Sequence, residues 1–407
     1  MSRRNSSLRE GNLREALREG HLREGFTTGS AAAAAARAAT IFALTGEAPQ
    51  LVDIPRPPPH PSDVGRLNIP IAEVHDDELG VRAAVVKDAG DDPDATHGAR
   101  IEAHVTLDPA FSGVGPHVLI GGGRGVGRVT LPGLPVAVGS AAINPGPEAQ
   151  IRAAVLEVLP EDFKGMALVV IEVPEGEEIA RHTLNARLGI LGGISILGTG
   201  GIVRPYSHEA WAACIDAALD VARAAGPATG GGAVALTTGR RSERLLQERC
   251  PFVPDVCLIQ AADFFAHALR AAHARGFRDV VWAVFPGKLV KQAQGFASTH
   301  ARAAELNFAL LADWAREAGA DEATVDAVAR ANTAGQALAL VGNSAVGQRL
   351  VAQLVGRARM AAQGFAGPDL RIHYVVFDLA GVCLFSDPVL ESGFALADPL
   401  HLGAGSR

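Results

Sequence analysis

Cysteine is scarce in this chain: the 407 residues hold four, at positions 214, 250, 257 and 383, and none of them forms a C-x-x-C pair. That spacing speaks against a zinc ribbon or a disulfide scaffold and leaves buried, reduced thiols as the expectation. A basic excess is also missing. The net charge of −7 argues against a general nucleic-acid binder, whose footprint would be a positively charged face. Long apolar runs are missing too. The stretch that comes nearest, "LGILGGISILGTGGIV" between Arg187 and Arg204, has 16 residues with six glycines, against the ~20 apolar residues a membrane span needs. It reads as strand and glycine loop, and no membrane segment is expected. The N-terminus carries Arg and Glu where a secretory leader would need an apolar core, which points to the cytoplasm.

Lysine is the scarcest charged residue, with only Lys87, Lys164, Lys288 and Lys291 among 37 Lys plus Arg. An otherwise arginine-rich chain that keeps lysine in "VVKDAG" and "PGKLVK" hints that an ammonium is wanted there.

Of the residues that are present, 48% are apolar and 20% charged, the balance of a globular protein long enough for two cores. Residues 1–24 repeat Leu-Arg-Glu, a polar pattern that predicts a frayed helix or a disordered extension. From Gly25 a turn precedes the alanine-rich helix of "GFTTGSAAAAAARAATIFAL", with Thr27, Thr28 or Ser30 as its N-cap. Its free N–H groups would suit a carboxylate or phosphate. The five prolines of "LVDIPRPPPHPSDVG" predict a loop or extended linker. Short apolar runs at 81–86, 101–107, 117–120 and 167–173 predict strands, so residues 25–204 read as an α+β domain. Residues 205–400 alternate helices with short buried strands, which predicts an α/β domain with a mostly parallel sheet. Ligands on such a sheet bind beyond the carboxyl ends of the strands, where "TTGRRSE" and "PGKLVKQAQGFASTH" lie.

Chemistry-bearing residues concentrate in three places. "KDAGDDPDATHG" brings Asp88, Asp91, Asp92, Asp94 and His97 together after a strand. The cluster could ligate a hard cation, pair a cationic ligand or supply a general base, and equally it could be an Asp-rich turn in which the side chains accept from backbone N–H groups. In "GKLVKQAQG" a helix would put Lys288 and Lys291 on one face near its positive end, a match for a multiply carboxylated ligand. Thr299 and His300 follow. The glycine loops at 121–134 and 189–203 lack a strict G-x-G-x-x-G but would let a ligand approach the backbone closely.

In order along the chain, "LREGFTTGSAAAAAARAA", "VVKDAGDDPDATHGARI", "GGGRGVGRVTLPGL", "AINPGP", "TLNARLGILGGISILGTGGIV" and "GKLVKQAQGFASTH" resemble the signature segments of the cobalt-precorrin-5B C1-methyltransferases, the CbiD family of anaerobic cobalamin biosynthesis. The likeness runs from about Leu22 to His300. It implies methyl transfer from S-adenosylmethionine to C1 of a cobalt tetrapyrrole, giving cobalt-precorrin-6A, with the cobalt carried by the substrate and no metal held by the protein. This chain departs from the family pattern at Gly200, where a threonine is usual, and at 284–288, where "VFPGK" lacks a histidine.

In that light Asp91, Asp92 and His97 are the catalytic candidates. Thr27, Thr28, Gly192, Gly193, Ser195, Gly198 and Thr199 are candidates for holding the methyl donor, and Lys87, Arg240, Arg241, Lys288, Lys291, Thr299 and His300 for holding the carboxylate-fringed ring. A metal-dependent hydrolase using the 88–97 cluster and a non-enzymatic tetrapyrrole carrier are the competing readings. Whether the chain pairs as a homodimer is left open.

Overall fold

The computed structural model describes residues 22–57, 65–78, 80–111, 115–225, 232–300, 305–389 and 391–394; the leucine-arginine-glutamate repeat lies almost wholly outside them. The chain divides into two compact units, one ending at Ser207 and one starting at His208.

In the N-terminal unit five strands form one sheet: β1 (Glu73–Asp77), β2 (Gly80–Val86), β3 (Arg100–Asp108), β4 (His117–Gly122) and β5 (Met166–Glu172), in spatial order β1-β2-β3-β5-β4. Only the β5–β4 pairing is parallel. Helix α1 (Thr28–Thr45) packs on β2, β3 and a second helix, α2 (Pro145–Leu156). Ala31 to Ala36, Ala38 and Ala39 are all fully buried. Alanine is the best helix former and its methyl lets sheet and neighbouring helix approach from several sides, so a helix apolar all round can sit inside the core. Gly46, at φ 72°, ends the helix by donating to Phe42 O at 2.8 Å, the left-handed stop that glycine takes without strain.

The proline-rich segment is not a loop throughout. Leu51–Pro55 is a strand that pairs antiparallel with Arg66–Pro70. Its alternation, with Val52 and Ile54 buried, is ordinary strand patterning; Pro58, Pro59 and Pro61 lie outside the described residues.

The C-terminal unit is built on β6 (Ala233–Thr237), β7 (Leu258–Gln260), β8 (Asp279–Val284), β9 (Arg371–Phe377) and β10 (Cys383–Ser386), in order β7-β6-β8-β9-β10. The first three pairings are parallel and the last is antiparallel. Helices α3 (His208–Ala225), α4 (Arg240–Arg249), α5 (Phe265–Ala274) and α6 (Pro286–Ala293) follow or precede these strands, and four further helices, α7 to α10, fill residues 308–366 before β9. Trp282 and Tyr374 sit side by side in register and are fully buried, with Phe265 edge-on to Trp282 at 5.1 Å. All four cysteines are free; Cys250 and Cys257 are buried, but Cys214 is exposed on α3, contrary to the expectation that all would be hidden.

Among the described residues no helix is long and apolar enough to cross a membrane.

Candidate functional site

The N-terminal candidates gather around the chain entry into α1. Phe26 N donates to Asp88 O at 2.8 Å, Asp91 N to Arg23 O at 3.0 Å and Thr27 N to Gly201 O at 3.1 Å. Gly25–Phe26 pairs antiparallel with Ile202–Val203. The aspartate loop, the entry strand and the end of the glycine loop therefore lie side by side. The approach is close: a Cβ on Gly90, at φ 66°, would stand 2.1 Å from Arg23 O, and one on Gly198, at φ 137°, 2.3 Å from Thr27 Oγ1.

Within the aspartate loop the carboxylates have different jobs. The Lys87 ammonium, 1% exposed, donates to Asp94 Oδ2 at 2.6 Å, and Asp94 Oδ1 takes the N–H and hydroxyl of Thr96, both at 2.7 Å. Burial works against ionisation of Asp94, but Lys87 and Thr96 outweigh it and hold its pKa below the usual range. Asp88 accepts a two-pronged ion pair from Arg23 and the N–H of Gly90 at 2.9 Å. The Arg23 hydrogen bonds pull the Asp88 pKa down to about 2. Asp91 and Asp92 instead accept main-chain N–H groups, from Arg23 at 2.7 Å and Tyr206 at 2.9 Å. One N–H each leaves most of a carboxylate's acceptor capacity in hand.

Several of the expected site residues are already engaged within the fold. Lys87 is enclosed with its own carboxylate. His97 accepts the Ala89 N–H at Nδ1, 3.1 Å away, and the same nitrogen stands 3.8 Å from Asp88 Oδ1. The start of α1 is not an open anion site either. Gly29 N donates to Leu197 O at 3.1 Å, Ser30 N to the N-cap hydroxyl of Thr27 at 3.2 Å, and Thr28 Oγ1 receives Leu197 N at 2.9 Å. Two of the helix-start donors are thus already used, Gly29 N on Leu197 and Ser30 N on the Thr27 cap. Gly193 pairs with Gly125, and buried Ser195 lies 3.4 Å from Asn185 Oδ1. Leu191, Gly192, Leu197, Thr199 and Gly200 of that loop are exposed.

In the C-terminal unit the candidates meet beyond the carboxyl ends of β7 and β8. Lys288 Nζ donates to Asp263 Oδ1, Lys291 Nζ reaches Thr299 O at 3.0 Å, and Thr299 Oγ1 donates to Asp263 Oδ1 at 2.9 Å. Thr299 is 1% and Lys291 9% exposed. Burial, helped by the Lys291 charge, pushes the Lys288 ammonium down to about 8; the Asp263 carboxylate pulls the other way, and at neutral pH the amine stays protonated. His300 stands edge-on to His208, with ring centroids 6.4 Å apart. Arg240 is exposed at the start of α4, whereas Arg241 lies over the Phe285 ring at 5.6 Å and donates to Leu379 O.

Sequence reading missed Asp263. The signal was "QAADFF", an acid in the turn between a short strand and a helix. Backbone strain marks both clusters. Among the described residues the non-glycine positions with positive φ are Tyr206, at 57°, whose N–H caps Asp92, and Ala262, at 48°, just before Asp263. Such conformations cost of order 1–3 kcal/mol and concentrate at functional sites.

The comparisons with known proteins agree on one family. The CbiD family model matches residues 15–205, and a model of the CbiD C-terminal domain matches residues 298–388. The likeness thus continues past His300, where the sequence motifs ended, through the helices that precede β9. A cobalt-precorrin-5B C(1)-methyltransferase of Nitratidesulfovibrio vulgaris is 53% identical over 364 residues, 89% of this chain and 92% of that protein. Proteins of the same name from Geobacillus kaustophilus and Salinispora arenicola are 47% and 41% identical over 77% and 88% of this chain, covering 80% and 90% of their own lengths. Among solved structures, a cobalamin biosynthesis protein of Archaeoglobus fulgidus matches 66% of this chain and 78% of its own, at 30% identity and a TM-score of 0.35. With two family models spanning most of its length and relatives this close, the chain belongs to the CbiD family.

Proposed function

We propose that this protein methylates C1 of cobalt-precorrin-5B, giving cobalt-precorrin-6A, with S-adenosylmethionine as donor. The observation that carries the reading is the 53% identity, over nine-tenths of both chains, to a protein bearing that name. The metal-dependent hydrolase is not favoured by the names of the relatives, and one of its four candidate ligands, Asp88, is already paired with Arg23.

The donor, when bound, supplies an electrophilic methyl on a positively charged sulfur. We assign its cationic end to Asp91 and Asp92 in the α+β unit, with the exposed part of the glycine loop, Gly192 and Thr199, alongside. Thr27, Thr28, Gly193, Ser195 and Gly198 act one step back, fixing that loop against α1. A carboxylate touching the sulfonium itself would favour the ground state over the transition state, since charge on sulfur disappears as the methyl leaves. An aspartate therefore serves best at the donor's amino or ribose end, and the other aspartate or His97 is the candidate to take the proton lost from the ring. In the α/β unit, Lys288, Lys291 and Arg240 supply the cationic rim for the ring carboxylates. Thr299 and Asp263 hold the two ammonium groups in place, His300 lies beside them, and Arg241 braces the start of α4. In-line methyl transfer then depends on a near-attack arrangement kept from water.

The experiment is direct. Incubating the protein with S-adenosylmethionine and cobalt-precorrin-5B should give a product heavier by one methyl, and calorimetry should show saturable binding of the donor and of its demethylated product. Ring binding without donor binding would make the protein a carrier and end this reading.

A further inference from the structure

A second constellation lies outside everything assigned above, on the face of the N-terminal sheet turned away from α1. Successive side chains of a strand alternate between faces. Ile101, Ala103 and Val105 of β3 enter the core with the α1 alanines, so Glu102 and His104 share the opposite face. Glu172 of β5 stands directly across from Glu102 in the ladder. Glu102 is 3% and His104 5% exposed. One donor atom from each of Glu102, His104 and Glu172 lies within 4.8 Å of the others.

The bonding around these three residues is one-sided. Glu102 Oε1 accepts from Arg100 Nε, and Glu172 Oε1 accepts the Arg124 N–H at 3.3 Å. Their second oxygens turn inward. Glu102 Oε2 makes no hydrogen bond, and neither ring nitrogen of His104 makes one. The ring is nonetheless flanked: Nδ1 is 3.1 Å from Asp77 Oδ2, and Nε2 is 3.4 Å from Glu172 Oε2, contacts too poorly aligned to count as hydrogen bonds. Arg82, 3.4 Å from Glu102 Oε2 and 3.3 Å from Asp77 Oδ2, and Glu73, which pairs with Arg100, complete the surroundings.

Leaving a buried imidazole and carboxylate oxygen without an aligned hydrogen bond costs up to about 1–3 kcal/mol each. We infer that Glu102, His104 and Glu172 form a binding site for one divalent first-row transition ion of the Zn2+ class. Imidazole with two carboxylates suits such an ion better than Mg2+ or Ca2+, which prefer all-oxygen shells. With metal–ligand bonds of ~2.0–2.2 Å, tetrahedral ligand atoms stand about 3.4 Å apart, the separation His104 Nε2 and Glu172 Oε2 already have. Asp77 beside Nδ1 supplies the outer carboxylate that orients a ligating histidine, and Arg100 and the Arg124 N–H orient the two glutamates. The site would tie β3 to β5, and it replaces the expectation of no protein-held metal with a specific candidate.

The test uses the tag-free full chain, stripped with chelator and titrated calorimetrically with Zn2+ and spectroscopically with Co2+. One ion should bind per chain, with visible d–d bands and no thiolate charge transfer. H104Q and E172Q should each weaken binding at least about tenfold while far-ultraviolet circular dichroism stays unchanged. Absence of saturable binding by the unaltered chain overturns the proposal and returns the cluster to an ion network. Equal affinity in both variants, or an intense thiolate band, overturns it by giving the ion to other groups.

Discussion

The aspartate loop of the N-terminal unit and the lysine cluster of the C-terminal unit are opposite in sign and differ in how much of their charge is already spent. In the loop, Lys87 and Arg23 neutralise Asp94 and Asp88, and Asp91 and Asp92 accept hydrogen bonds from main-chain N–H groups. In the cluster, Asp263 neutralises one of the two ammonium groups, that of half-buried Lys288. A dense run of like charge is thus mostly scaffold, and what it offers a ligand is the remainder. For the loop that remainder suits a cation, and for the cluster it suits carboxylates.

The contrast can be broken by substitution. The largest effect is expected for Lys87→Ala, which strands the mostly buried Asp94 carboxylate and should cost about 3 kcal/mol of stability, measured by urea unfolding, with donor affinity per folded molecule unchanged. Next, Lys288→Ala with Lys291→Ala should weaken ring binding at least about tenfold and flatten its salt dependence, read by calorimetry at two ionic strengths; undiminished, salt-sensitive binding would remove the pair from the rim. Because Lys288 titrates near 8, the native protein's affinity for the ring should hold below that pH and fall as pH rises through it. The smallest effect concerns Asp88. Folding pulls its pKa from the ordinary aspartate range down to about 2, so its contribution is present above the unfolded value and is lost as pH drops from about 4 to about 2. Asp88→Asn should flatten acid unfolding in that window, by a modest amount because the pair is well exposed.

Much of this was legible from residue patterns alone. The runs at 81–86 and 101–107 are strands because apolar residues bounded by Gly and Asp have few other ways to be buried, and the alanine block is a helix for reasons of propensity. Lys288 and Lys291 share a helix face as their spacing requires. Other features were written in the sequence but outvoted. Proline density hid the alternation of Leu51–Pro55, and Asp263 was overlooked because one acid in a turn carries no pattern. Glu102 and His104, two residues apart on a strand, signalled a shared face, yet their burial and the arrival of Glu172 from 70 positions away are tertiary facts. The buried end of α1 is the converse case. Its cap was readable, but whether ligand or protein would fill it depended on where residues 197–201 return.

The sharpest trial is a crossed titration, in which Asp91→Asn/Asp92→Asn and Lys288→Ala/Lys291→Ala proteins are each titrated with S-adenosylmethionine and with the cobalt tetrapyrrole. The first should lose affinity for the donor and keep the ring, and the second should do the reverse. If both proteins bind both ligands as the unaltered chain does, neither remainder of charge is the ligand contact claimed here.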